Sequence, residues 1–240
     1  EQDAYGRAML DWHLGNGGFE IVERDDGFIG LSSGPQIYLA EFRYWPEFEK
    51  RAIRLARGRV LDVGSGGGRV GLYLAGRGHE VVGIDNSPGA VELSHARGFA
   101  GAVLLPFEQA SRRRLGVFDT VVMFGNNFGL MGGVRRARAR LRRLRGMTSV
   151  RGRILAASMD PYATDAPHHT ACHERNRRRG RMGGQIRIRI RYQMRKTPYF
   201  DYLFVSKEEM DGILDGTGWR VARHIDGETA GQYVAVIEKA

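Results

Sequence analysis

The sequence predicts an α/β protein: a mostly parallel sheet with helices on both faces. Three observations predict it. Residues 60–85, VLDVGSGGGRVGLYLAGRGHEVVGID, read as strand, glycine turn, helix and second strand. Short apolar runs then alternate with amphipathic stretches as far as Ser158, the pattern of repeated βα units. Two late strand-like runs, Trp219 to Ile225 and Gln232 to Glu238, are joined by the short polar connection from Asp226 to Gly231.

In the first of these stretches Val60 to Val63 is apolar except for Asp62, and Gly64 to Gly68 contains four glycines and Ser65. Apolar residues resume at helical spacing from Arg69 to Ala75; Gly76 to Gly78 ends the helix, and Glu80 to Asp85 closes on a carboxylate. Such a turn aims backbone N–H groups at a ligand, and glycines are needed because a Cβ would block close approach. Gly66, Gly68 and Gly71 also fit the GxGxxG of dinucleotide sites, with Asp85 near the expected ~20 residues downstream. Against that reading stands Asp62, an acid inside the first strand, able to receive the cationic amino group of an amino-acid moiety.

On VLDVGSGGGR followed by VVGID, the chain resembles motifs I and II of the class I S-adenosylmethionine (SAM)-dependent methyltransferases. The resemblance implies a Rossmann-like, seven-stranded, mostly parallel sheet with an antiparallel last strand, SAM as methyl donor and S-adenosylhomocysteine (SAH) as product. It implies that Asp62, Gly64, Ser65, Gly66 and Gly68 hold the methionine end of SAM. Asp85, with Asn86 beside it, takes the ribose hydroxyls.

The length allows one sizeable core. We expect an N-terminal helical and hairpin cap over residues 1–57 and a SAM-binding domain over 58–240, with a substrate insertion at about 160–205. No run approaches the ~18 apolar residues of a membrane span and no signal-peptide pattern opens the chain, so a soluble, cytoplasmic protein with no membrane partner is expected. A single cysteine, Cys172, excludes an intramolecular disulfide. The net charge of +10 is carried almost wholly by arginine, the only lysines being Lys50, Lys196, Lys207 and Lys239. Such a surface can recruit nucleic acid or acidic molecules.

At the N-terminus, Ala4 to Leu14 reads as a helix, and Phe19 to Val22 with Phe28 to Leu31 flank Asp25-Asp26-Gly27 as a hairpin. Pro35 and Pro46 each open a helical stretch, the second ending at Arg57-Gly58. The resemblance implies that this segment folds over the SAM pocket, making Tyr5, Tyr38 and Trp45 lid aromatics and Tyr38 a substrate contact. Packing against the core is the plainer role for each.

After Asp85, Ser87-Pro88 caps a helix, and Ala102 to Leu105 is a third strand. Where many class I relatives carry an acid for the adenine amine, this strand runs into Pro106 and Phe107, so Phe107 is the residue expected to stack on adenine. Val117 to Phe124 resembles motif IV and ends at Gly125-Asn126-Asn127, at the carboxyl edge where open α/β sheets bind ligands. Phe124 and Gly125 are therefore expected at the cofactor. Asn126 and Asn127 are expected at the substrate or simply in the turn. The motif is not the NPPY or DPPY of amino-methylating nucleic-acid enzymes. Val134 to Val150 is amphipathic, with Arg135, Arg136, Arg138, Arg140, Arg142, Arg143 and Arg145 mostly facing water, and Arg153 to Ser158 is the fifth strand.

Asp160 to Gly184 shows no clear periodicity and lies where the resemblance places substrate-recognition insertions. Its HHTACH run has zinc-compatible residues at a spacing that matches no standard ligand pair, so no metal is predicted; His168 and His169 are expected as a general base. Ile186 to Tyr192 alternates strictly, with Thr197-Pro198 as its turn and Tyr199 to Val205 as partner strand: a flap that brings Tyr192 to the substrate. Ser206 and Glu209 form a capping box for the helix Lys207 to Leu214.

The function expected is methyl transfer from SAM to an O, N, S or C nucleophile of a small-molecule acceptor. Two alternatives stand: methylation of RNA or another macromolecule recruited by the basic surface, notably Arg175 to Arg195, and a SAM-binding protein without turnover. Nothing in the sequence sets the oligomeric state.

Overall fold

The computed structural model describes residues 3–32 and 34–240. In chain order its elements are α1 (Ala4–His13), β1 (Ile21–Arg24), β2 (Ile29–Leu31), α2 (Pro35–Tyr38), α3 (Glu47–Ile53), β3 (Val60–Val63), α4 (Arg69–Ala75) and β4 (Val81–Asp85). They continue with α5 (Pro88–Ala96), β5 (Ala102–Leu104), α6 (Arg112–Leu115), β6 (Phe118–Met123), α7 (Val134–Gly146), β7 (Thr148–Met159) and α8 (Pro167–Arg178). The chain closes with β8 (Gln185–Tyr192), β9 (Arg195–Lys196), β10 (Phe200–Leu203), α9 (Lys207–Leu214), β11 (Trp219–Asp226) and β12 (Gln232–Lys239).

The main sheet has seven strands in the order β11-β12-β7-β6-β3-β4-β5. Pairings from β5 to β7 are parallel, and β12 runs antiparallel to both β7 and β11. The late hairpin thus inserts its final strand into the sheet, as the sequence predicts. The reason is visible in composition: β12 reads QYVAVIEK and is buried through its middle, whereas β11 carries exposed Arg220 and Arg223 and sits at the edge.

Alternate residues of the central strands feed two cores. Leu61, Val63, Val121, Met123 and Ile154 pack with Leu141 and Leu144 of α7 and Met210 and Leu214 of α9. Val60, Val122, Leu155 and Ala157 pack with Phe48, Ile53, Leu74 and Val91 on the other face. Helix α7 departs from expectation at one position. Arg140 is buried, ion-paired with Glu108 and bonded to the carbonyl of Leu130, because the helix turns that face toward the loop after β5 rather than to water. Arg138 and Arg142 donate to the carbonyls of Gly212 and Gly216, around the C-terminal end of α9, where cations are favoured.

A second sheet, β10-β8-β1-β2 with β9 also on β8, joins the N-terminal hairpin to the segment that follows α8. The N-terminal hairpin and the 185–203 flap are therefore one structure, with Ile21 opposite Arg191 and Arg24 opposite Ile188. Glu23 fixes the pairing, accepting from Arg189, Arg191 and Tyr199. The flap turns at Gln193-Met194, not at Thr197-Pro198. Gln193 takes the left-handed conformation (φ 52°), and the register shifts by one residue between Thr197, which still faces Ile190 with its N–H on the Ile190 carbonyl and its hydroxyl on the Ile190 N–H, and Phe200 opposite Ile188.

The stretch without periodicity contains α8. It has few apolar residues and buries Cys172, His173 and Asn176 instead. The Asn176 amide donates to the carbonyls of Gly183 and Gln185, tying the helix to the start of β8. Among the described residues no helix is long and apolar enough to cross a membrane.

Candidate active site

The glycine turn follows β3 directly, and Gly64, Gly66 and Gly68 have φ of 72°, 52° and 80°. These angles suit glycine and strain other residues. The turn is held from three sides. Asn127 donates its amide to the carbonyls of Val63 and Gly64, both at 2.9 Å; Ser94 donates to the carbonyl of Gly66 at 2.8 Å; the Asp85 carboxylate accepts from Gly66 N–H and Ser87 N–H, each at 2.9 Å. Gly71 serves packing instead: a Cβ there would lie 2.4 Å from the ring of Phe99, which also lies against Gly68 and Gly83.

Beside the turn, Asp62, Ser65 and Arg69 are buried, and Asp62 Oδ2, Ser65 Oγ and Arg69 Nη1 have no hydrogen-bond partner. Arg69 Nη2 pairs with Glu49 Oε2 at 2.7 Å and its guanidinium lies on the ring of Trp45. Glu49 Oε1 in turn accepts from Gly125 N–H at 2.9 Å. Burial pushes the Asp62 carboxyl up to about 7, opposed by Arg69 and reinforced by the charges of Asp85 and Glu49. Burial likewise raises Asp85, against the N–H bonds it accepts.

The linkage follows from these directions. Asp62 stays protonated in the folded chain up to about 7, whereas it ionises near ~3.9 when unfolded. Its contribution to stability is full below about pH 4 and is lost as pH rises through 7. Asp62→Asn is thus expected to melt above wild type at pH 8, with the two curves converging toward pH 4. Equal melting temperatures at pH 8 would show that Asp62 is not desolvated.

A roof of side chains covers the turn. The Tyr5 hydroxyl lies 3.3 Å from where a Cβ on Gly66 would sit, and the Tyr5 and Tyr38 rings are 5.3 Å apart. Helix α1 is anchored by Asp3, whose carboxylate accepts from Gly6 N–H, Ser87 Oγ–H and Gly89 N–H. Tyr202, from β10, donates to the Asn126 carbonyl at 2.6 Å. Burial raises all three tyrosines, keeping them neutral hydrogen-bonding groups. Glu20, just before β1, is buried and acts electrostatically on both Tyr5 and Tyr38.

The structure thus brings Asp62, Gly64, Ser65, Gly66, Gly68, Asp85, Gly125, Asn126, Asn127 and Tyr38 to one place. Within it Asn127 braces the turn, and Asn126 takes the left-handed conformation (φ 64°). Asn86 is exposed beside Asp85. Phe124 is buried edge-on to Trp45, and Phe107 is buried in the core under the Arg140 guanidinium.

Three expected residues lie elsewhere. His168 stacks on Phe28, and His169 accepts from Arg24 at 3.2 Å; both belong to the contact between α8 and the N-terminal hairpin, made by residues with no periodic signal. Tyr192 donates to Asp11 at 3.0 Å and packs on Ala4 and Ala8, because the flap it sits on pairs with β1 and backs α1. Among the described residues no group of three or more His, Cys, Asp or Glu is placed to hold a metal ion. Sequence reasoning passed over Glu20, Glu49, Arg69 and Tyr202. Arg69 carried a signal, being the one charge in the apolar helix RVGLYLA; Glu20 carried a weaker one, an acid within the strand-like run FEIV.

The strand order, the glycine turn and the acids ending and interrupting its flanking strands define a SAM-type methyltransferase fold. The methyltransferase domain family matches residues 60–148. Residues 60–148 thus carry the signature of a methyltransferase domain, on the fold of the class I SAM-dependent methyltransferases. A SAM-dependent methyltransferase from Bacteroides fragilis, solved with SAH, superposes with a TM-score of 0.83 at 24% identity, over 100% of this chain and 95% of that one. The CcbJ methyltransferase from Streptomyces caelestis gives a TM-score of 0.61 at 16% identity, over 85% of this chain and 98% of that one. In sequence, a tRNA (uracil(54)-C(5))-methyltransferase of Pyrococcus horikoshii is 39% identical over 130 residues, 53% of this chain. That match spans 31% of the relative's length, and one to the same enzyme of Pyrococcus abyssi spans 18%.

Proposed function

We propose that the protein binds SAM in the Gly64–Gly68 turn and transfers its methyl group to a small-molecule acceptor held under the tyrosine roof. The observation that carries this reading is a buried carboxyl and a buried guanidinium beside the turn, each with a bonding site unused: Asp62 Oδ2 and Arg69 Nη1. They complement the ammonium and carboxylate of an amino-acid end. Asp85 keeps lone pairs beyond those given to Gly66 and Ser87, which suits two ribose hydroxyls.

When bound, SAM supplies a methyl group already activated by its sulfonium. The protein is left to orient the acceptor atom and exclude water, and orientation can supply ~7–11 kcal/mol without a fixed catalytic triad. Tyr5, Tyr38 and Tyr202 wall the acceptor side with buried rings, and the hydroxyl of Tyr202 is committed to Asn126.

A small acceptor suits a roofed compartment, since a base within a polymer has to be flipped out to reach one. The second reading, an RNA substrate, is favoured by the charge of +10 and by the tRNA-methylating relatives. Against it, C5 of a uracil becomes a nucleophile once another nucleophile has added to the ring. The single thiol, Cys172, is buried on α8 against Arg175 and Asn176 and is raised by burial.

Calorimetric titration with SAM, SAH and NADH tests the cofactor. Micromolar SAM and SAH binding without NADH binding is expected; NADH binding without SAM binding would sink the methyltransferase reading. Label transfer from methyl-labelled SAM to a metabolite extract separates turnover from mere binding, and salt-dependent binding of tRNA would bring the RNA reading forward.

A further inference from the structure

Helix α8 is tied to the N-terminal hairpin by one guanidinium. Arg24 is 5% exposed; it donates from Nε and Nη2 to the Asp26 carboxylate, both at 2.8 Å, from Nη2 to the His168 carbonyl at 3.0 Å, and from Nη1 to His169 Nδ1 at 3.2 Å. Arginine has donors and no acceptor, so the last contact fixes the state of the histidine: Nδ1 holds a lone pair and the neutral ring keeps its proton on Nε2. Protonation puts an N–H where the lone pair was. Donor then faces donor, cation faces cation, and the new charge lies in the first turn of α8, where the helix dipole opposes it. The acids of the hairpin do not offset this. Asp26 already accepts from Arg24, from Arg175 at 2.7 Å and from Phe28 N–H, and against its burial the two arginines hold its carboxyl well below the usual range. Asp25 is exposed and acts on Arg175. The other groups facing His169 are His168, with ring centroids 4.1 Å apart, and His173 one turn along α8. Burial, then His168 and Arg24, push the His169 imidazole below its ordinary value, opposed by Asp26.

We infer that this contact is an acid-operated latch: neutral His169 holds α8 against the N-terminal hairpin, and protonated His169 releases it. The sign follows from the lowered docked value: the latch is complete above the ~6.5 of a free histidine and weakens as pH falls below it. His168 does not act in this way. Its ring stacks on Phe28 at 4.6 Å, an aromatic face that accepts a cation, and its tie to Arg24 is a backbone carbonyl that does not titrate. Release is local. Glu23 still binds Arg189 across β1 and β8, and Asn176 still ties the end of α8 to the start of β8, so the small sheet persists while residues 24–28 part from the first turns of the helix. At pH 5.5 an undocked histidine is about ten-to-one protonated, so one excluded proton moves the docking equilibrium by up to about ten-fold relative to pH 8.

The experiment uses the full chain without ligand. Nitrogen NMR of the histidine rings reads the charge and tautomer of His169, and amide hydrogen exchange, corrected for the intrinsic effect of pH, reads the docking of residues 24–28 and 167–172. At pH 8 the His169 ring is expected to be neutral with its proton on Nε2. Exchange in both segments is expected to be roughly five- to ten-fold faster at pH 5.5 than at pH 8. His169→Asn keeps an uncharged acceptor toward Arg24 and should lose the response, whereas His168→Asn should respond as wild type does. A proton on His169 Nδ1 at pH 8, equal corrected exchange at the two pH values, or a response that persists in His169→Asn would each overturn the latch. Should His169→Asn fail to fold, the wild-type ring decides: titration below ~6.5 supports the latch, and titration at or above it sinks the idea.

Discussion

Asp85→Ala is expected to weaken SAM and SAH binding by about 10²- to 10⁴-fold. The carboxylate at the end of β4 has two tasks. It accepts the N–H groups of Gly66 and Ser87, which fixes the turn, and its remaining lone pairs face the place where ribose hydroxyls would lie. Hydrogen bonds to a charged group contribute about 1.5–3 kcal/mol each, so two lost bonds amount to roughly 3–6 kcal/mol. Asp85→Asn keeps one acceptor oxygen and should fall between alanine and wild type. Titration calorimetry on the three proteins measures this, with thermal melting as the control for folding. Unchanged affinity in the alanine variant would move the ribose away from Asp85.

The second large effect concerns stability. Arg69→Met should destabilise the fold by about 3–5 kcal/mol, because it strips a buried carboxylate of its partner. Glu49 and Arg69 pair at 2.7 Å with side chains 4% and 8% exposed, and the pair links α3, α4 and the loop after β6 through Gly125 N–H. For a chain of this size that cost lowers the melting temperature by roughly 6–20 °C. The double variant Glu49→Gln/Arg69→Met should recover much of the loss, since it leaves no lone charge and glutamine still accepts from Gly125. A loss under about 1 kcal/mol in the single variant would mean that water reaches the pair and screens it.

The main sheet was legible because its signals are local. Four buried residues before a glycine run, an acid closing the next strand, and an apolar final strand beside an arginine-bearing one state their positions within a few residues. The floor of the site was legible for the same reason: Asp62, Gly64, Gly66, Gly68 and Asp85 lie within 24 residues of one another. The roof was not. Tyr202 meets Asn126 across 76 positions, and Glu23, three residues after Glu20, meets Arg189 across 166. No period records such meetings. The histidines misled for a related reason. Their chemistry suits a base, but α8 spends them on packing, where Phe28 and Arg24 take them up.

The small sheet also constrains the order in which the molecule is made. Strand β8 lies between β1 and β10, so the hairpin translated first finds its partner only after residues 185–191 have left the ribosome. Closing that loop costs entropy that grows with its length, and the pairing is repaid late. Until then the open edge of β1 is free to meet other chains. A chain cut between residues 148 and 185 would lose β8 and β10, and with them the partner of β1 and Tyr202 of the roof, while leaving residues 60–148 their local code, so cradle and roof are separable in sequence but not in use.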